Sequence, residues 1–568
     1  MSPNVWKYGL TVLALFGLIY LLFNISILEN WNCHCNTVTV PPQLQSHIHS
    51  TLSGPVPTFH TSRTFYAHQG HKVSLEEELE ERELLNSIAW PRPPSGSAPL
   101  ALRNTSDPVH SLFSVPPSKN KEHWYVGDQL EVSIQMYDSK GQPKGYGGDF
   151  LLARLHSPKY RAGVAGVVLD HKNGLYSAQF PLLWEGSAQV EVIMVHSSEA
   201  VAVLQRLREE RPDRLYYKSL YKLGLQSETT TCNMYLPPDR GSLCDYTDPL
   251  TGEPWYCYKP KTLNCSARIN HDNGGFVEDI ITNEEALLFQ SGINVKAPIR
   301  ASGSDTISVL PSRPERNSVK PDAVNLMTSG YYYEDSWRPL GAVAMRQFSS
   351  SAITQCLTNK EVHMYGDSTI RQWFEYLMNV LPGLKILNFL SEMPRKKGPF
   401  MAVDSKHNTL VTFRCHGPPI SFTSMMVSQL RYIANELDGL SGGPKTVVAI
   451  SIWAHFTTFP VEVYIRRLQH IRKAVVRLLN RAPGTLVIIR SANPRALKNR
   501  ISLYHSDWFS HQLDAVLRAM FKGLDILLVD AWQMTVAHRL PHDIHPPPAI
   551  IKNTVDLILS YVCPSHMR

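Results

Sequence analysis

The chain has 568 residues, room for three or four domains, with the 43% hydrophobic and 18% charged content of a folded globular protein. Its net charge of +7 is small for that length. The basic residues are dispersed, with no compact run alternating with aromatics, which argues against a nucleic-acid-binding protein.

Lys7 precedes an apolar run from Tyr8 to Leu28 with few polar residues besides Thr11, Asn24 and Ser26. The run is long for a signal-peptide core and sufficient to span a bilayer. No small-x-small cleavage site follows before Glu29 and Trp31. The pattern predicts a cytosolic tail (1–7), an uncleaved signal anchor (8–28) and a luminal remainder. A cleaved signal peptide and a secreted product is the alternative. Asn104-Thr105-Ser106 and Asn264-Cys265-Ser266 are sequons, so Asn104 and Asn264 are candidate glycosylation sites. Asn24-Ile25-Ser26 lies in the apolar run and is discounted.

Residues 29–117 read as a stem rich in Pro, Ser, Thr and His, stiffened at Pro91-Arg92-Pro93-Pro94. Within it, Glu-rich Leu75–Ile88 predicts an exposed helix. Cys33 and Cys35 are placed to pair between chains, which would give a dimer. Residues 118–205 turn to a β pattern. Gln129–Tyr137 alternates, with Leu130, Val132, Ile134 and Met136 on one face. Val164–Leu169 predicts a second strand, Asn173-Gly174 a turn, and Ala188–Val195 a further strand. Short strands at this spacing predict an immunoglobulin-like β-sandwich.

Nine cysteines occur, and Cys232, Cys244, Cys257 and Cys265 fall within the module 206–300. No Cys-x2-Cys pair is present among them. A local disulfide framework is therefore expected rather than a metal site, and with it an oxidising compartment. Residues 301–340 read as a linker.

From 341 to 568 strand and helix patterns alternate. Strands are predicted at Val362–Tyr365, Thr409–Phe413, Thr446–Ile452, Thr485–Ile489 and Ile526–Val529. Val461–Asn480, Leu513–Lys522 and Ala549–Val562 read as helices. Such alternation predicts a three-layer α/β domain with a mostly parallel sheet. Arg466, Arg467, Arg472, Lys473 and Arg477 on the first of these helices read as a solvated basic face, or as an attractor of acidic glycans or a phosphorylated donor.

Gly366-Asp367-Ser368 lies where the first of these strands gives way to a helix carrying Ile370, Trp373, Phe374 and Leu377 at helical spacing. Ser368 is thus predicted at a sheet's carboxyl edge and at a helix N-terminus, two conditions for acyl transfer. Asp-Ser before a helix is usually only an N-cap. A serine nucleophile needs a base. Leu540-Pro541-His542-Asp543-Ile544-His545-Pro546-Pro547-Pro548, a proline-fixed loop before the last helix, offers His545. His455, at the end of the Thr446–Ile452 strand, is the second candidate, as base, oxyanion donor or pocket wall.

With these residues assembled, the chain resembles the NXPE family, the neurexophilin and PC-esterase domain-containing proteins, over nearly all of its length after the stem. Gly145-Tyr146-Gly147-Gly148-Asp149 and Thr251–Cys257 resemble neurexophilin. Gly366-Asp367-Ser368 with Arg371 and Trp373 resembles the nucleophile block of the PC-esterase domain, one of the Gly-Asp-Ser hydrolases and acyltransferases. Ile488-Ile489-Arg490-Ser491-Ala492-Asn493-Pro494 resembles a later strand-end block. The resemblance implies transfer of acetyl from acetyl-CoA, a substrate rather than a tightly bound cofactor, to a sialylated glycan in the Golgi lumen. An acyl-Ser368 would form with His545 as base. Gly366, Asp367, Arg371, His455 and Asn493 become oxyanion or pocket candidates. The neurexophilin likeness implies a receptor of the neurexin type as partner. In the wider group the acid commonly stands three residues before the histidine. Here His542 holds that position, so Asp543, or else Asp530, becomes the candidate orienting acid. Ile452 and Trp453 stand where an oxyanion Asn is usual. An esterase using the same residues with water, and a non-catalytic interaction glycoprotein, remain as other readings.

Overall fold

The computed structural model describes residues 74–94, 102–117, 123–236, 241–312, 327–341, 344–387, 398–421, 424–498 and 500–564. The expected anchor, most of the stem, and Cys33 and Cys35 lie outside the described residues. Among the described residues no helix is long and apolar enough to cross a membrane. Asn104 and Asn264 are both exposed.

The front of the chain folds into β layers around a core of their own. Gln129–Gln135 pairs antiparallel with Leu175–Pro181 and Leu112–Ser114. Gly186–His196 pairs with Phe150–Ser157, Ala297–Ala301 and Thr306–Leu310. Leu130, Val132, Ile134 and Met136 are fully buried in one cluster with Val190, Val192 and Met194. The stretch expected to be one strand at Val164–Leu169 is two. Ala162–Ala165 pairs with Phe150–Ser157, and Val167–Asp170 pairs with Leu175–Pro181. The break falls at Gly166, where a Cβ would lie 2.4 Å from the Phe180 ring.

This sheet path recruits strands that the sequence places elsewhere. Leu112–Ser114 comes from the expected stem; Thr306–Leu310, Gly330–Tyr333 and Ser336–Pro339 come from the expected linker. Each is three to five residues long, too short to display a period. The Gly147-Gly148-Asp149 motif is a packing junction. A Cβ on Gly148 (φ 102°) would lie 2.8 Å from the Pro91 carbonyl. Asp149 accepts from the Ser198 N–H at 2.7 Å and from Tyr176 at 2.9 Å.

The cysteine module carries disulfides Cys232–Cys257 and Cys244–Cys265. Its sheet runs Leu243–Asp245, Tyr256–Tyr258, Gln226–Asn233, Leu215–Leu223, Asn270–Phe276 and finally Met425–Met426, which belongs to the C-terminal region. A buried ion pair, Glu253 with Arg467, joins the two regions further.

That pair belongs to a wider correction. On the basic helix, Val461–Arg481, Lys473 and Arg477 are solvated as expected, but Arg466, Arg467, Arg472, Lys473 and Arg477 are all engaged in ion pairs, so it is no free basic surface. The Glu-rich helix Leu75–Ser87, mostly exposed as expected, lies along it: Arg466 meets Glu81, Arg472 meets Glu80 and Lys473 meets Glu77. Arg477 meets Asp438 at 2.7 Å. Two helices with complementary charge at matching spacing dock, although 392 residues separate Glu80 from Arg472.

The C-terminal sheet has seven strands. Five are parallel, in the order Thr409–Cys415, Glu361–Gly366, Thr446–Ser451, Leu486–Arg490, Leu527–Val529. Numbered along the chain this is the doubly wound order 2-1-3-4-5, whose switch point lies between Glu361–Gly366 and Thr446–Ser451. Every residue of Thr446–Ser451 is buried, so both its faces are covered. Trp373 and Leu377 of the helix Ser368–Val380 and Val555, Ile558 and Leu559 of the helix Pro548–Val562 converge on Val362, Met364, Val447 and Ala449 of the sheet. Cys356–Cys563 ties the end of the last helix to the segment that precedes the first strand.

Candidate active site

Gly366 ends its strand at φ 139°, and a Cβ there would lie 1.7 Å from the Ser451 carbonyl oxygen. Only glycine allows the two strands at the switch point to approach so closely. Asp367 then caps the helix. Its Oδ1 accepts from the Thr369 N–H at 2.9 Å and hydroxyl at 2.6 Å. Its Oδ2 accepts from the N–H groups of Trp453 and Ala454 at 3.2 and 3.0 Å. Burial pushes this carboxyl up, but the His455 ring and the bonds from Thr369 and Ala454 outweigh it and hold it below its usual range. Ser368 is the first residue of the helix, so its N–H has no intrahelical acceptor and lies at the helix end that favours negative charge.

The Ser368 Oγ lies 2.7 Å from His545 Nε2 across 177 residues of chain. The loop that brings the imidazole there is pinned from three sides. The Asn493 amide donates to the carbonyls of Asp543 and Ile544 at 2.9 and 3.4 Å. Gln372, on the Ser368 helix, donates to the Pro546 carbonyl at 3.2 Å. Asp543 accepts the His545 main-chain N–H at 2.9 Å. Partial burial and the Arg371 guanidinium lower the His545 pKa below its ordinary value, so the ring is neutral, as a base must be, at neutral pH.

Several expected roles change. Asp543 closes the turn through the backbone, and among the described residues no carboxylate bonds to the His545 ring; the arrangement is a Ser–His pair. Asp530 is committed to Arg518 at 2.7 Å and to a helix cap, and does not reach His545. His542, at the position usual for the acid, turns away. It accepts from Lys296 Nζ at 3.0 Å and lines a cleft of about 290 Å³ facing the β layers. Burial and the Lys296 charge push it down to about 3. Asp367 is an acceptor sealed in the interior and cannot donate to an oxyanion. Asn493 is not an oxyanion donor either, since its oxygen takes Arg490 at 2.7 Å and its amide holds the histidine loop.

His455 is fixed by a neighbour that the sequence reading missed. His416 Nδ1 lies 2.6 Å from the Gly417 carbonyl, which only accepts, so the proton sits on Nδ1 and Nε2 is bare. His455 Nδ1, 3.0 Å from that Nε2, must then donate to it. The His455 Nε2 is left as an acceptor, which removes the oxyanion-donor role. Burial lowers both rings, His455 to about 4, which makes His455 a poor base as well. The clue to His416 was its place three residues past the predicted Thr409–Phe413 strand, directly after the observed strand Thr409–Cys415 and on the same sheet edge. Thr369 and Ser451, linked at 2.9 Å beneath Asp367, and Arg490, which orients Asn493, carried no sequence signal of their own.

Arg371 stands one helical turn after Ser368, bonded through Nε to Glu375 at 2.8 Å. Gly366 shapes the turn.

A doubly wound α/β domain with a serine at a strand-to-helix turn, a histidine within hydrogen-bonding reach and both at the switch-point edge has the arrangement of serine-dependent acyl-transfer proteins. Residues 337–563, which hold this whole site, match the family model described as NXPE family member 4-like, C-terminal domain. Residues 95–284 match the one described as Neurexophilin. The chain belongs to the NXPE family.

Proposed function

We propose that the protein is an O-acetyltransferase of the secretory pathway, moving acetyl from acetyl-CoA to a hydroxyl of a glycan, with sialic acid as the acceptor sugar, through an acyl-Ser368 intermediate. The observation that carries this is the 2.7 Å contact between Ser368 Oγ and His545 Nε2 at the open edge of the sheet. It also weighs against a spent domain that serves adhesion alone. The immunoglobulin-like and PC-esterase fold types, the membrane anchor and the Golgi location belong to the same proposal.

Ser368 gives its hydroxyl proton to His545 Nε2 as Oγ attacks the thioester carbonyl. The Ser368 N–H meets the developing oxyanion; one such donor is worth roughly 3 kcal/mol. The carbon–sulfur bond breaks, and the departing sulfur takes the proton from His545. An acceptor hydroxyl then gives its proton to Nε2 and attacks the acyl carbon, and Oγ leaves with that proton. Water in place of the hydroxyl gives an esterase. The solvent exposure of His545 favours that outcome whenever no acceptor covers the site.

The test is to offer the full chain acetyl-CoA with a sialylated glycan and to read acetyl gain by mass. Gain that disappears in Ser368→Ala and His545→Ala supports the proposal. Gain that survives both changes refutes the site. Loss of acetyl from a pre-acetylated glycan, without gain, selects the esterase.

A further inference from the structure

Lys296 comes from the front of the chain, ahead of residues 337–563, yet its side chain ends among the residues that hold the His545 loop. It stands directly before the strand Ala297–Ala301 with φ 52°, in the left-handed region. A residue with a Cβ seldom takes that conformation, and where one does, the structure around it fixes it there. Its N–H donates to the Val195 carbonyl at 3.3 Å, which keeps the backbone on the β layers. The side chain, 18% exposed, crosses to the C-terminal region.

An ammonium has three hydrogens and no acceptor, and this one has three partners. Nζ donates to the Arg495 carbonyl at 2.6 Å and to His542 Nδ1 at 3.0 Å, and it is ion-paired at 2.7 Å with Asp507, which is fully buried. These partners stand on the two sides of one support. Arg495 lies two residues past Asn493, whose amide holds the Asp543 and Ile544 carbonyls. Asp507 fixes the same segment by accepting the Arg495 N–H at 2.9 Å. His542 lies on the loop itself, three residues before His545, at most about 11 Å of extended chain. One ammonium therefore ties the segment that carries Asn493 to the loop that carries the base. It also sets the His542 tautomer. The ammonium only donates, so Nδ1 accepts and the ring proton sits on Nε2. Burial and the charges of Lys296 and Arg154 push the ring down to about 3, so it stays an acceptor at neutral pH.

We infer that Lys296 is a positioning residue for His545: through His542 and the Arg495 carbonyl it clamps the loop so that the imidazole stays on Ser368. In the acyl-transfer reading, on which this role rests, the front β layers are part of the catalytic framework, and the C-terminal region is incomplete without them.

The test uses the full chain, purified in detergent, with two variants and two readouts. His542→Ala removes the loop end of the tie and leaves the Lys296–Asp507 pair in place. Lys296→Met together with Asp507→Asn removes the other end without stranding a buried carboxylate. The first readout is hydrogen–deuterium exchange of the His542–His545 amides, which needs no substrate; both variants should lose protection there. The second is covalent labelling of Ser368 by a fluorophosphonate, located by digestion and mass. The labelling rate at saturating probe should fall about 10- to 100-fold in each variant. The probe concentration giving half that rate should not change, because neither residue touches the probe. Unchanged exchange in both variants would overturn the inference, and so would labelling at the wild-type rate in both. A wild-type chain that is not labelled at Ser368 counts against the acyl-transfer reading, and exchange alone then decides the clamp.

Discussion

The Ser368 turn is shaped mainly by consecutive residues with one tie to the adjacent strand end, whereas the His545 loop, apart from Asp543, is held by residues of other elements. On the serine side, Gly366, Asp367 and Thr369 turn the strand into the helix, and one carboxylate stitches that turn to the adjacent strand end. On the histidine side, Asn493 acts from 50 residues away. The disulfide that anchors the following helix closes a separation of 207. Local geometry is robust to change elsewhere, whereas geometry assembled from remote contacts fails when any one of them is lost. The histidine side is therefore where distant substitutions should disturb activity.

The largest effect is expected at the base itself. His545→Ala should lower kcat by about 10²–10⁴-fold, the usual range for loss of a general base. Asn493→Ala sharpens the comparison. It frees the loop carbonyls without touching the substrate, and should cost about 10²-fold in kcat with the thermal midpoint falling only slightly. An Asn493→Ala chain with unchanged kcat would show that the loop positions itself.

Cys563→Ser opens the long disulfide loop. On the chain-entropy account the lost stability is about 5 kcal/mol, to be read as a lower Tm, with activity falling in parallel as the final helix loosens. Asp543→Asn separates a pair from a triad. An amide oxygen still accepts the His545 N–H, so the change should cost less than about tenfold in kcat, whereas loss of an acid bonded to the imidazole costs about 10⁴-fold in a serine protease. The smallest effect concerns pH. Activity needs neutral His545 and so rises with pH through its pKa. The Arg371 charge disfavours the imidazolium and contributes to lowering that pKa. Arg371→Gln should therefore move the acidic limb of the kcat/KM profile to higher pH. A limb that stays in place or moves to lower pH would remove Arg371 from the electrostatics of the base.

The same contrast explains what could be read before the structure. The serine turn was legible because its determinants are consecutive and each has a local meaning: a glycine, a cap, and a helical period that starts at once. His545 was legible as a histidine fixed among prolines before a terminal helix. Its support was not, because Asn493 and Arg490 act through tertiary contacts that no spacing announces. Asp543 misled for a related reason: adjacency suggested an orienting acid, and the carboxylate went to the backbone instead. The parallel sheet followed from alternating patterns, while strands such as Thr306–Leu310 and Ser336–Pro339 were too short to show any. The helix at Leu75–Ser87 was read correctly as a largely exposed helix; the basic helix it docks on was not foreseen, because that partner lies nearly 400 positions on, Lys473 being 396 residues from Glu77.

The most direct test is to catch the acyl group on the protein. The full chain, mixed with acetyl-CoA without acceptor, quenched in acid and digested, should carry acetyl on the peptide containing Ser368, and Ser368→Ala should carry none there. Turnover that proceeds with no acetyl on Ser368, or that persists in Ser368→Ala, would contradict the acyl-Ser368 proposal.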